Sequence, residues 1–94
     1  WFGLPILINK KFIRNKNKYL NYLKKNGIET RPIISGNFLN QPAAKLYKLK
    51  KGNNFFKNAD EIEKRGFFIG LHTPKINQST IKLLTNKLLM VNKL

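Results

Sequence analysis

Apolar residues along the chain fall into two kinds of run, and their order predicts the elements. Trp1–Ile8 is nearly all apolar, which predicts a strand buried on both faces. Pro5 within it argues for an edge position or a bulge, because proline cannot donate to a ladder. Arg14–Asn26 changes to helical spacing: Tyr19, Leu20 and Leu23 share a face and lysines fill the rest. Asn26-Gly27 is a helix stop, since glycine tolerates the left-handed conformation that closes a last turn. Ile28 then packs back on the helix. Thr30–Ile34 reads as a second strand, where Pro32 favours an edge or an interrupted ladder.

Ser35–Gln41 is a turn, and Pro42 suits the first position of a short helix through Ala43, Ala44, Leu46 and Tyr47. Lys48–Phe56 reads as a loop around Gly52-Asn53-Asn54. Asn58 and Glu61 have capping-box spacing for a helix that stops at Gly66. Phe67–Leu71 is a third apolar strand, ended by His72-Thr73-Pro74. Asn77 or Ser79 can cap a final helix, whose Ile81, Leu84, Leu88 and Val91 form one stripe. Leu83 and Met90 widen that stripe, which predicts cover on both sides. The whole is an α/β chain of α+β type: a two-layer sandwich of about three strands with helices on one face.

Ninety-four residues make one domain at most, spanning 1–94. A chain this short buries about 60–65% of its unfolded surface, enough for one thin core or for a lobe that leans on a partner. It opens on Trp1-Phe2-Gly3-Leu4-Pro5 without methionine, which predicts a piece of a longer protein. No apolar run approaches the roughly 20 residues of a membrane span, and no signal-peptide pattern is present. The chain has no cysteine, hence no disulfide and no thiolate metal site, which fits a cytoplasmic protein.

The formal net charge is +15. One reading is a polyanion-binding module, such as a small nucleic-acid-binding domain. The other is base composition, because Lys, Asn and Ile are all encoded by A/T-rich codons. The lysines are scattered from Lys10 to Lys93 rather than clustered, which favours the second reading.

Reaction chemistry is thin. The acids are Glu29, Asp60, Glu61 and Glu63; three gather at a presumed helix start, where they favour the macrodipole. A single histidine without cysteine does not build a zinc site, and no phosphate-binding glycine loop of standard spacing occurs. No lysine stands in an apolar context that would lower its pKa for Schiff-base work. No catalytic residue and no metal ligand is assigned.

Binding groups are better represented. Arg31 lies within a strand expected to be largely buried, so its guanidinium needs an anionic partner, from a ligand carboxylate or phosphate; otherwise it is an edge-strand arginine facing water. Ser35, Gly36, Asn37, Asn40 and Gln41 follow a strand end, where open α/β sheets bind ligands. Neutral amides there position sugars or bases, or else serve as ordinary turn formers. His72, at the end of the third strand, is either a ligand contact or a turn histidine bonded to backbone.

The run Gly27-Ile28-Glu29-Thr30-Arg31-Pro32-Ile33-Ile34-Ser35-Gly36-Asn37-Phe38-Leu39-Asn40-Gln41-Pro42 resembles the C-terminal lobe of the DegT/StrS family. Trp1–Pro5 and the segment from Asn58-Ala59-Asp60 through Gly66–His72 are similar to the same lobe, in order. The likeness is nearest the branch of CDP- and GDP-linked keto-deoxysugar 3-dehydratases. These enzymes use pyridoxal phosphate (PLP, or its amine form PMP) on nucleotide-linked keto sugars.

The resemblance implies the small C-terminal domain of a type I aminotransferase fold, closing over substrate at a homodimer active site. It implies a role in deoxysugar and lipopolysaccharide O-antigen biosynthesis, as dehydratase or aminotransferase. The PLP-binding N-terminal domain lies outside this chain, with the residue that is Lys in aminotransferases and His in dehydratases. The fragment alone is expected to bind no cofactor and to be inactive. By the same analogy Arg31, Ser35, Gly36, Asn37 and Gln41 line the nucleotide-sugar side of the cleft, with His72 a weaker member. Relatives often carry Arg at the position of Asn40, so a phosphate contact there shifts to Arg31 or a nearby lysine. A non-functional truncated fragment is the remaining alternative.

Overall fold

A computed structural model describes residues 2–49, 56–71 and 74–94. Strand β1 (Gly3–Leu7) leads through a 3-10 segment, Lys10–Asn15, into helix α1 (Lys16–Lys25). Strand β2 (Thr30–Arg31) follows, then a 3-10 turn at Phe38–Asn40 and helix α2 (Pro42–Leu46). Helix α3 (Lys57–Arg65) runs directly into strand β3 (Gly66–Gly70), and helix α4 (Gln78–Leu89) continues into a final 3-10 turn, Met90–Lys93.

The three strands form one antiparallel sheet in the order β1-β3-β2. The predicted sandwich of three strands and packed helices is therefore the observed one. The middle strand is the one between α3 and α4: Phe67 and Ile69 are buried, and Phe68 is half-buried between its neighbours. As the central strand it is paired along both of its edges. The opening strand carries the same apolar pattern, yet Leu4 and Leu7 are 39% and 45% exposed. As an edge strand it has a neighbour along one side alone, so the expected burial on both faces does not occur.

Both prolines obey the ladder. Leu71 N–H donates to the Phe2 carbonyl at 3.0 Å and Ile8 N–H to the Arg65 carbonyl at 3.2 Å, flanking the register that pairs Leu4 with Ile69 and Ile6 with Phe67. Antiparallel alternation then turns the backbone groups of Gly3, Pro5 and Leu7 outward, so Pro5 forfeits no ladder bond and blunts a free edge. β2 is shorter than the predicted Thr30–Ile34. Pairing ends at Arg31↔Phe68, and the chain turns with Gly36 N–H donating to the Ile33 carbonyl at 3.1 Å.

One face of the sheet carries the core. Ile8, Tyr19, Leu23, Phe67 and Ile69 are buried together, with Ile6, Phe12, Leu20, Ile28, Leu84, Leu88 and Val91 packed around them. The stripes on α1 and α4 thus meet the alternate residues of β1 and β3 that point the same way. The Tyr19 and Phe67 rings meet edge to face, with centroids 5.9 Å apart. On α4 the stripe is narrower than predicted: Ile81 is 47% and Leu83 59% exposed, so cover on both sides is not found.

The close of α1 follows the predicted geometry. Gly27 has φ +78°, Gly27 N–H donates to the Lys24 carbonyl at 3.1 Å, and Ile28 N–H to the Leu23 carbonyl at 2.9 Å. These two bonds make a Schellman motif, and Ile28 lands on the core as its hydrophobic partner. Asn77 caps α4 by accepting from Thr80 N–H at 2.8 Å. Asn58 caps nothing: α3 already begins at Lys57, after Phe56, without a side-chain cap. Its box partner Glu61 is drawn instead to Arg65, one turn on, at 2.7 Å.

Candidate functional site

The turn after β2 is built from residues that bend the backbone and residues that hold it bent. Ser35 and Gly36 both take positive φ, +68° and +50°. Ser35 stands at the third position of the Ile33–Gly36 turn, where positive φ is demanded. Asn37 then caps the 3-10 turn, its Oδ1 accepting from Leu39 N–H at 3.2 Å. Gln41 Nε2 donates back to the Ser35 carbonyl at 3.3 Å, closing the loop on itself. Pro42 starts α2 at its first position, as predicted.

Helix α3 braces this loop from beneath. Asn37 is 2% exposed, and its Nδ2 donates to Asp60 Oδ1 at 2.7 Å. Asn40 Nδ2 donates to Glu63 Oε2 at 2.6 Å and more weakly to Asp60 Oδ1 at 3.4 Å. The two carboxylates stand three residues apart on α3, so both project to one side. Gly36 fits against Glu63 so closely that a Cβ there would lie 2.9 Å from the glutamate Cβ and Cγ. Periodicity gives no warning of this brace, because it joins residues 23 positions apart. The macrodipole role expected for these acids suits Asp60, which lies in the first turn; Glu63 lies beyond it.

The predicted site residues are thereby sorted. Ser35, Gly36, Asn37, Asn40 and Gln41 come together in one turn. Ser35 and Asn40 are exposed, whereas both ends of the Asn37 amide are consumed internally. Arg31 is not the buried guanidinium expected. Its side chain is 68% exposed, and Nε and a terminal nitrogen grip Glu29 Oε1 at 3.1 and 2.8 Å. Edge position explains this: at Arg31 the strand has a neighbour on one side, leaving the long side chain free to reach water. His72 lies outside the described residues. The ligand-site rule for strand ends belongs to parallel α/β sheets, and this antiparallel sheet does not invoke it.

Two further features frame the loop. The sheet face opposite the core carries a groove of about 260 Å³ lined by Phe2, Gly3, Pro5, Ile33, Ile34 and Phe68. Phe2 and Ile34 are each 79% exposed on it. At the other end of α3, the Lys16 ammonium donates to the carbonyls of Glu63, Lys64 and Gly66 at 3.3, 3.0 and 3.0 Å. These oxygens include carbonyls the helix leaves without partners, at the negative end of its dipole. Burial holds the Lys16 pKa below its ordinary value.

Among the described residues no group of three or more His, Cys, Asp or Glu is placed to hold a metal. No helix among them is long and apolar enough to cross a membrane. Fold and site together define a class: a small α+β fold that displays neutral hydrogen-bonding groups on a braced turn. The comparisons add a sharper likeness. Over 73 residues the chain is 37% identical to a GDP-4-keto-6-deoxy-D-mannose 3-dehydratase of Escherichia coli O55:H7, covering 77% of this chain and 19% of that protein. Over 87 residues it is 32% identical to the enzyme of the same name from Yersinia pseudotuberculosis, covering 92% of this chain and 22% of that one. The chain thus spans about a fifth of the length of the curated relatives it matches. No family model and no solved structure matches it.

Proposed function

We propose that this chain is the C-terminal, substrate-closing lobe of a nucleotide-sugar enzyme of the DegT/StrS type, acting on a GDP-linked 4-keto-6-deoxyhexose. The reaction is 3-dehydration, or amino transfer on the same class of keto sugar, in deoxysugar and O-antigen synthesis. The observation that carries the reading is the 37% identity over 73 residues to a protein named for that dehydration. The apolar groove beside Phe2 and Ile34 supports it, because such a face suits packing against the remainder of a larger enzyme.

In this reading the lobe contributes shape and hydrogen bonds. Ser35, Asn40 and Gln41 face the sugar, Gly36 gives the turn its close approach to α3, and Asn37 anchors the turn. Arg31 borders the cleft. The enzyme uses PLP or PMP and works as a homodimer. The cofactor supplies an electron sink when bound. Among the described residues Lys16, held by three carbonyls, is not placed as a Schiff-base lysine. In this reading chemistry on the cofactor is assigned to the large domain and none to this chain.

The test is an assay of two polypeptides. The longer product of the reading frame that carries this chain is expected to dehydrate or transaminate GDP-4-keto-6-deoxymannose in the presence of PLP and glutamate. The 94-residue chain alone is expected to be inert. Turnover by the short chain, or an inert longer one, refutes the reading.

A further inference from the structure

Positive charge that is scattered along the sequence is sorted by the fold. The groove on one face of the sheet is lined without a charged side chain. The opposite face is covered by α1 and α4, which run side by side. Lys18 Nζ donates to the Leu94 carbonyl at 3.4 Å, and Lys87 Nζ donates to Asn26 Oδ1 at 2.8 Å. The start of α1 thus meets the chain beyond α4, and the end of α1 meets α4 itself, so the two helices are antiparallel. Neither residues 10–25 nor residues 78–93 include an aspartate or glutamate. The four acids lie before β2 and on α3. Lys24, Lys25, Lys82 and Lys93 on this helical layer are exposed, as are Lys11 and Arg14 in the segment that leads into α1. None of the six forms an ion pair among the described residues. Like charges gathered without counter-ions repel one another, so the layer gains by meeting an anionic surface.

The layer is not purely polar. Opposite the core stripe of α4, helical spacing puts Lys82, Asn86, Leu89 and Lys93 on one outward stripe, and all four are exposed. Leu89 lies on that stripe between lysines, Leu83 lies beside it, and each is 59% exposed. Base stacking asks for open aromatic rings, which this layer does not offer: Tyr19 is buried, and Phe12 and Tyr22 are half-buried. Lysines flanking an exposed leucine suit the headgroup region of a bilayer instead. There ammonium groups meet anionic phosphates, lysine stems lie along apolar surface, and a leucine enters the acyl boundary. From this juxtaposition we propose that the α1–α4 face docks on an anionic lipid bilayer and lies on its surface. The groove, on the other side of the sheet, stays open to the rest of a larger enzyme. Membrane docking is therefore independent of the reaction proposed above.

The experiment uses the longer polypeptide that carries this chain. Its binding is measured by co-flotation with vesicles of phosphatidylglycerol mixed with phosphatidylcholine, and with vesicles of phosphatidylcholine alone. Wild type is expected on the anionic vesicles and not on the zwitterionic ones. Lys24→Gln, Lys82→Gln and Lys93→Gln combined are expected to weaken binding about a hundredfold, at about fivefold for each charge. Lys45→Gln, Lys48→Gln and Lys57→Gln remove the same charge from exposed positions around α2 and the start of α3. That second triple variant is expected to stay within about twofold of wild type, because screening confines the attraction to cations at the membrane. Leu89→Ser, which alters no charge, is expected to weaken vesicle binding about tenfold. Equal losses in the two triple variants, as bulk charge alone would cause, overturn the proposal. So does binding to phosphatidylcholine alone, an absence of binding to either vesicle, or an unaffected Leu89→Ser. Displacement from the anionic vesicles by a DNA duplex at equal phosphate concentration also overturns it, and would assign the face to nucleic acid.

Discussion

The Tyr19 hydroxyl donates to the Leu88 carbonyl at 2.8 Å, fastening α4 to the helix that lies on the sheet. Leu88 is in the last turn of α4, where carbonyls lack intrahelical partners, so the phenol satisfies an oxygen that would otherwise be stranded beside the core. Burial, with Tyr22 nearby, raises the Tyr19 pKa, which keeps the donor protonated throughout the neutral range. Replacing Tyr19 with Phe keeps the ring against Phe67 and removes that bond. A loss of about 1–2 kcal/mol is expected in urea or thermal unfolding. An unchanged midpoint would show that α4 docks by packing alone.

Lys16 ties the start of α1 to the end of α3 through its three carbonyl bonds. Lys16→Met retains the stem and deletes the ammonium, at a cost of about 1–2 kcal/mol. Arg at this position is a poor substitute, because a planar fork does not converge on three carbonyls as a compact ammonium does. Stability of wild type, Met and Arg variants at neutral pH checks the order.

Glu61 gives a pH signature. The hydrogen bond from Arg65 is the main cause that holds its carboxyl below the ordinary glutamate value; burial opposes it, and the charges of Lys10 and Arg65 add smaller downward contributions. The folded state therefore binds this proton less tightly than the unfolded chain. The stabilisation is complete above the ordinary glutamate pKa and drains away as pH falls through the lowered one. Glu61→Gln is expected to be less stable than wild type at pH 7, and the gap is expected to shrink steadily below about pH 4. A gap constant across that range would refute the assignment.

Two glycines at positive φ separate backbone strain from crowding. At Gly27 nothing lies within 4 Å of a built Cβ, so Gly27→Ala carries the left-handed penalty alone, about 1–2 kcal/mol. At Gly36 the same methyl also meets Glu63, so Gly36→Ala is expected to cost about 2–4 kcal/mol. Combining Gly36→Ala with Glu63→Ala should recover part of the difference, as a double-mutant cycle would measure. Equal costs at the two glycines would mean that the turn shifts freely off α3.

Much of this was readable in one dimension. The Asn26-Gly27-Ile28 stop, the edge position of Pro5, the ladder interrupted at Pro32, the Asn77 cap and Pro42 at the head of α2 all depend on neighbours within a few positions. The errors have a common source. Burial of the opening strand, the buried setting of Arg31 and the second covered side of α4 are statements about what lies across from a residue, and composition does not supply that. The Asn58 cap failed for a related reason: Glu61 had a better partner in Arg65.

The amino-acid order by itself determined which segments are extended or helical and where α1 and α4 are capped, because period, proline, glycine and capping side chains act over a single turn. It also determined which polar groups gather in the turn after β2. Only the tertiary structure decided which strand is central, which arginine meets water, and that Asp60 and Glu63 stand beneath that turn. Those outcomes depend on side chains more than twenty residues apart meeting at hydrogen-bond distance. No local preference encodes such a meeting; it exists once the sheet closes and brings α3 against the loop.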